Sequence, residues 1–186
     1  KGQNVIKSIR FDGLRTLGSP SEIAEKYYKN GIDEIIYLDT VANLYDRSKL
    51  TEIVSNASKN IHIPLIAGGG LRNLDDIKDV LNAGADKVFI NTAAIKNPKF
   101  IEQAANIYGS QCIVASIEAK KIGSKQWEAY VDNGRESTGI NVIDWVKETE
   151  NLGAGEIFLT SVDRDGTKLG LEEELIKEVS KTSNLP

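Results

Sequence analysis

At 186 residues, with 40% hydrophobic and 27% charged side chains and a net charge of −4, the chain has the balance of a soluble globular protein. That balance excludes disorder, collagen-like repeats and a membrane span, since no apolar run approaches the ~18 residues of a transmembrane helix. A mildly acidic chain without basic clusters also argues against nucleic acid as a partner. One cysteine, Cys112, cannot build a disulfide framework, so a reducing, cytoplasmic setting is expected. The start Lys1-Gly2-Gln3-Asn4 is charged and contains glycine, unlike a signal peptide, and the chain contains no methionine.

Along the chain, short β-branched runs alternate with amphipathic stretches. A strand is predicted near Val5–Ile9, and Ser19-Pro20 then places a capping side chain before a proline at a first helical position. Gly31 stops that helix, and a strand follows at Glu34–Asp39. Leu50, Ile53, Val54 and Ala57 fall on one helix face, followed by a strand at Ile63–Ala67. Leu74, Ile77, Val80 and Leu81 repeat the pattern, with a stop at Gly84 and a strand at Asp86–Asn91. Asn97-Pro98 starts another helix, and strands follow at Cys112–Glu118 and Trp127–Val131. Gly153 marks a helix end, Glu156–Ser161 a strand, and Leu171, Leu175, Ile176 and Val179 a last helix face. Such alternation is the signature of a parallel sheet with right-handed crossovers, and no linker suggests a second domain within 1–186.

An internal repeat sharpens the picture. Gly31-Ile-Asp-Glu34-Ile-Ile matches Gly153-Ala-Gly-Glu156-Ile-Phe at a shift of 122 residues, and Gly84-Ala-Asp-Lys87-Val-Phe is a weaker echo. The same shift carries Pro64, which precedes Leu65-Ile66-Ala67-Gly68-Gly69-Gly70, onto the last residue, Pro186. Repeated βα units point to a (β/α)8 barrel or a doubly wound sheet. A barrel takes ~250 residues, so 186 residues leave it unfinished. By this reading strands 2 to 6 are present and strands 1, 7 and 8 are missing, so the chain should bind weakly and catalyse little.

In such a barrel chemistry gathers where strands end, because the βα loops meet there. Asp39, Gly68 to Gly70, Asn91-Thr92, Glu118 and Thr160-Ser161 occupy those ends, with Asp163, Asp165 and Gly166 just beyond. Strand starts carry Glu34, Lys87 and Glu156. Side-chain alternation puts these three at one depth in the foot of a barrel whose mouth holds Asn91 and Thr160. They form either a charged ring closing the axis or solvated residues at turns. The triple glycine is either a tight turn or a place where backbone N–H groups approach a phosphate, and Asp165-Gly166-Thr167-Lys168 reads the same two ways. Glu118 shares a face with Ser116 and Val114, and is either a general acid or base or a surface strand end. His62 reads as structural. No cluster of His and Cys suggests a metal, and no nucleotide loop or other motif suggests a cofactor.

The blocks from Gly84 to Ala94, Asn97-Pro98, Gly109-Ser110-Gln111 and Gly153 through Thr167 closely resemble the cyclase subunit of imidazole glycerol phosphate synthase, an enzyme of histidine biosynthesis. The related histidine-pathway isomerase fits less well around Asn91 to Ala94 and Trp145. The resemblance implies a (β/α)8 barrel that docks a glutaminase at its foot and receives ammonia along its axis. At the mouth, ammonia would convert the bis-phosphorylated phosphoribulosyl-formimino-aminoimidazole carboxamide ribotide to imidazole glycerol phosphate and aminoimidazole carboxamide ribotide. It further implies that Glu34, Lys87 and Glu156 belong to the ammonia gate and Asp86 to the glutaminase interface. Gly69, Gly70, Asn91 and Thr92 would bind one phosphate, Asp165 and Gly166 the other. Lys7 would be the flexible-loop lysine and Asp39 a mouth-facing aspartate. Catalysis would rest on Glu118, Asn91 and Thr160.

Two departures stand out. The family pairs aspartates on its first and fifth strands; the first position would precede Lys1, and the second is Glu118, one methylene longer. A carboxyl group misplaced by ~1 Å can cost ~10²-fold in rate. Paralogues of this cyclase work with a similar glutaminase to amidate sugars for surface polysaccharides, and Glu118 gives that alternative weight. A third possibility is a non-catalytic barrel that activates the glutaminase.

Overall fold

The computed structural model describes residues 4–40 and 48–186, so the opening Lys1-Gly2-Gln3 lies outside the described residues. The chain divides into two compact units. One holds Lys1–Lys7 and Arg15–Phe89, the other Ser8–Leu14 and Ile90–Pro186.

Strand β1 (Val5–Ile9) stands where the sequence places it and pairs with β2 (Asp12–Gly18), a strand that sequence reading misses. The tip between them turns through Arg10 and Phe11, both with positive φ. In the first unit the chain continues through α1 (Pro20–Lys29), β3 (Ile35–Leu38), α2 (Ser48–Ser58), β4 (Leu65–Gly68), α3 (Leu74–Asn82) and β5 (Lys87–Ile90). Strands β3, β4 and β5 form a parallel ladder in that order, with Ile36 beside Ile66 and Ala67 beside Val88. Leu50, Val54 and Ala57 of α2 and Ile77 and Val80 of α3 are buried, as the helical spacing demands.

The second unit continues through α4 (Thr92–Lys96), α5 (Lys99–Tyr108), a 3-10 turn at Ser110–Cys112, β6 (Ile113–Gly123), β7 (Gln126–Val131), β8 (Glu136–Asn141), α6 (Val142–Asn151), β9 (Glu156–Ser161) and α7 (Glu173–Thr182). Strand β6 runs five residues past its expected end and carries an antiparallel extension, β6-β7-β8, while β9 pairs with β6 in parallel. Every residue from Ile113 to Ala119 is buried, with helices α5 and α6 packed against the strand. Trp127, Trp145, Ile101, Val142 and Leu175 are among the most deeply buried side chains of this unit.

These parallel strands alternating with helices make an α/β fold of the kind a (β/α)8 barrel is built from, and among the described residues neither unit closes a ring of strands. Local signals hold unevenly. Gly31, Gly84 and Gly153 each follow a helix with positive φ and complete the same six-residue and four-residue hydrogen-bond closure, for example Ala85 N to Val80 O and Gly84 N to Leu81 O. Pro20 is the first residue of α1, but the Ser19 side chain makes no capping bond. Pro98 stands at the N-cap of α5 instead of inside it, with Asn97 closing α4. Helix α7 starts at Glu173, so Leu171 lies outside it and is 75% exposed, and Ile176 is also exposed, while Leu175 and Val179 are buried.

Candidate active site

The centre of the second unit's site is Glu118. It lies in β6 where that strand is paired on both sides, opposite Thr160 of β9 and Tyr130 of β7. A carboxyl group so placed loses nearly all contact with water, and Glu118 is 7% exposed. Its Oε2 accepts a 2.7 Å hydrogen bond from the Gly134 backbone N–H, and the Asn91 side chain also bonds to it. Asn91 Nδ2 donates in addition to Tyr130 O at 3.3 Å, which ties the residue ahead of α4 to the antiparallel extension. Burial pushes the Glu118 pKa up to about 7, opposed by the Gly134 and Asn91 hydrogen bonds and helped by the negative charge of Asp132. Near neutrality such a group is present in both protonation states, so it can take and return a proton.

The structure thus brings together Asn91, Glu118 and Thr160, with Thr92 following as the first residue of α4. The turn that holds Gly134 is missed from the sequence, although Asn133-Gly134 between two alternating runs is a hairpin signal.

The second expected phosphate loop is in the same unit. Asp165 Oδ2 accepts from Ser8 Oγ at 3.2 Å and from Phe11 N at 3.3 Å, and Asp165 O accepts from Arg10 N at 2.9 Å. A side chain on Gly166 (φ +66) would run into the Ser8 carbonyl. The hairpin tip therefore seats on this loop, and glycine is required for that approach.

In the first unit, Gly69 (φ +111) packs so closely on the Asp39 backbone that a Cβ would collide with Asp39 O, and Gly68 does the same against Phe89 O. Two of the three glycines are thus needed for strand packing, and Gly70 (φ +67) supplies a further left-handed turn. Asp39 N donates to Gly68 O at 2.9 Å, which fixes Asp39 beside the glycine loop. Lys7 is exposed on β1.

At the strand starts, Lys87 Nζ lies 2.8 Å from Glu34 Oε1, and both side chains are about three-quarters shielded. Glu156, the first residue of β9, is half-buried in the second unit, in register with Val114. Asp86 has a structural role, because its Oδ2 accepts from Leu65 N and its own N–H donates to Leu65 O, both at 2.8 Å, and the two bonds pin the start of β4. Beside it Ser58, Ile61, His62, Ile63, Pro64 and Gly84 line a cavity of about 400 Å³. The His62 ring meets Tyr28 edge to face at 6.3 Å. Among the described residues no group of three His, Cys, Asp or Glu side chains is placed to hold a metal, and no helix is long and apolar enough to cross a membrane.

Comparison with known proteins identifies the family. The family model described as "Histidine biosynthesis protein" matches residues 1–186. A Legionella pneumophila protein named imidazole glycerol phosphate synthase subunit HisF is 52% identical over all 186 residues, which span 88% of its length. Subunits of the same name from Clostridium botulinum and Natranaerobius thermophilus are 47% and 44% identical, over 98% and 100% of this chain and 72% and 74% of their own. With its full length matched by the family model and by these relatives, the chain belongs to the histidine biosynthesis protein family that includes the HisF subunits.

Proposed function

We propose that the chain is the cyclase subunit of imidazole glycerol phosphate synthase, with 1–186 forming one domain of part of a (β/α)8 barrel, and that it uses ammonia from a glutaminase partner. The acceptor is the bis-phosphorylated formimino ribotide, and the products are imidazole glycerol phosphate and aminoimidazole carboxamide ribotide. The observation that carries the reading is the buried Glu118 carboxyl group, poised near neutral pH and joined to Asn91 beside Thr160, in a chain of this family. In this reading Glu118 moves protons during amination and ring closure, while Asn91 and Thr160 orient the reacting groups. Backbone amides at Gly69 and Gly70, with Asn91 and Thr92, hold one phosphate; Asp165 and Gly166 form the other site once the hairpin tip lifts. Lys7 then reaches the substrate and Asp39 faces it. No cofactor takes part.

The ion pair Glu34–Lys87, together with Glu156, forms the gate through which ammonia enters from the foot, where Asp86 meets the glutaminase. A free thiol at Cys112 suits a reducing cytoplasm. Incubating the protein with the ribotide and ammonium chloride should yield imidazole glycerol phosphate, if only slowly; a complete lack of turnover overturns the reading.

One observation favours a second reading. Glu118 is one methylene longer than the family's aspartate, which suits a paralogue that amidates a sugar. If Glu118→Asp raises ribotide turnover, this position is detuned for the ribotide and the sugar acceptor gains ground.

A further inference from the structure

The β7–β8 turn shows an unusual backbone. Asp132, Asn133 and Gly134 follow one another with φ of 52°, 58° and 72°. A two-residue hairpin turn needs only two residues in the left-handed region. The third residue extends the turn, and each non-glycine residue held there is strained. Asp and Asn tolerate that region best among side-chain-bearing residues, and strain of this sort persists where its surroundings determine it.

Here the surroundings are specific. Arg135 N donates to Val131 O at 3.2 Å and closes the turn. A Cβ on Gly134 would lie 2.9 Å from Val162 Cγ1 and 3.4 Å from Phe11 Cδ2, so only glycine fits against the end of β9. Val162 is itself fixed, its N–H donating to Ala119 O at 2.9 Å. The result of this left-handed run is one inward N–H, that of Gly134, 2.7 Å from Glu118 Oε2. No hairpin requires that bond.

We infer that the Asp132-Asn133-Gly134 turn is a positioning device for the Glu118 carboxyl group, with Gly134 as the positioning residue that holds Oε2. The inference rests on the reading of Glu118 as the proton-transferring group. Asp132 on the same turn is the charged neighbour that acts on it. The residues facing Glu118 from β7, β9 and the start of α4 are Tyr130, Thr160 and Asn91. Lys120, next on the same side of β6, sits 5.0 Å over the Tyr130 ring.

The test follows the Gly134 amide directly. In 15N–1H correlation spectra of the whole chain, the Gly134 resonance should titrate with a midpoint of about 7 and fall silent in Glu118→Gln. A Gly134 resonance that stays still, that titrates in the ordinary carboxylate range, or that moves unchanged in Glu118→Gln overturns the inference. A second arm uses turnover of the ribotide with ammonia. Gly134→Ala should lower kcat by ~10-fold or more with KM little changed, and should add nothing in a Glu118→Gln background. Independent, multiplying losses in the double variant likewise overturn the inference. If the wild-type chain turns over no ribotide, the cyclase reading fails alone, and the amide titration still decides what the turn does.

Discussion

Glu118 links the site to pH-dependent stability. Its carboxyl group has a pKa of about 7 in the folded chain, chiefly because burial disfavours the charge. Between the ordinary carboxylate value and that figure, the folded state binds more protons than the unfolded one, so stability falls as pH rises through this window. Above about pH 7 both states are ionised and the loss is complete, amounting to roughly 3 kcal/mol. Glu118→Gln should therefore flatten the decline in urea midpoint between about pH 5 and pH 7; an unchanged slope would assign the decline elsewhere. The Glu34–Lys87 pair behaves differently. It is only partly shielded, so Lys87→Ala should lower stability by less than ~1 kcal/mol. Its effect should appear instead as a larger loss of glutamine-dependent than of ammonia-dependent turnover, and equal losses on both would count against a gate. At this scale Glu118, Asn91 and Thr160 were legible from strand alternation, because period-2 patterning tells which side chains share a face. The Gly134 partner was not, since a backbone amide leaves no mark in residue type.

Among the elements, the three helix–strand joins at Gly31, Gly84 and Gly153 use one closure, and that shared geometry is the physical content of the sequence repeat. Gly31 is open, whereas Gly84 and Gly153 are packed, and at these two the cost of substitution should exceed that of equally left-handed but open glycines. Gly153→Ala adds a Cβ 3.1 Å from Ala105 Cβ as well as the φ penalty, and should cost about 2 kcal/mol. Gly170, with φ +81 and no atom within 4 Å, should cost only about 1 kcal/mol as alanine, measured by urea denaturation of the two variants side by side. Equal costs would mean that packing at the α6–β9 join is unimportant. The strands missed in the sequence, β2 and β8, are both exposed along much of their length and rich in glycine, threonine, serine or charge. They exist because a partner strand offers hydrogen bonds, which residue preference does not report.

For the whole molecule, the chain passes between the two units after Lys7, Leu14 and Phe89, so neither unit is a continuous segment. Unfolding the second unit must release the hairpin tip Ser8–Leu14, which is flanked on both sides by chain of the first. We therefore expect one cooperative transition. The only tryptophans, Trp127 and Trp145, are buried in the second unit, so their fluorescence reports that unit alone while far-UV circular dichroism reports both. The two midpoints in urea should coincide; a separation would show two independently folding units.

The sequence by itself determined the alternation of strands and helices, the stops at three glycines, the strand faces carrying Glu118 and Thr160, and the family. Those features are written in local spacing and residue type, which depend on neighbours along the chain. Tertiary structure alone decided that two glycines of Gly68-Gly69-Gly70 serve close strand packing, that Ser8 and Phe11 hold Asp165, and that a left-handed turn delivers an amide to Glu118. Each of these joins groups far apart in the chain, and the raised Glu118 pKa is the summed effect of burial and neighbours that only the folded backbone assembles.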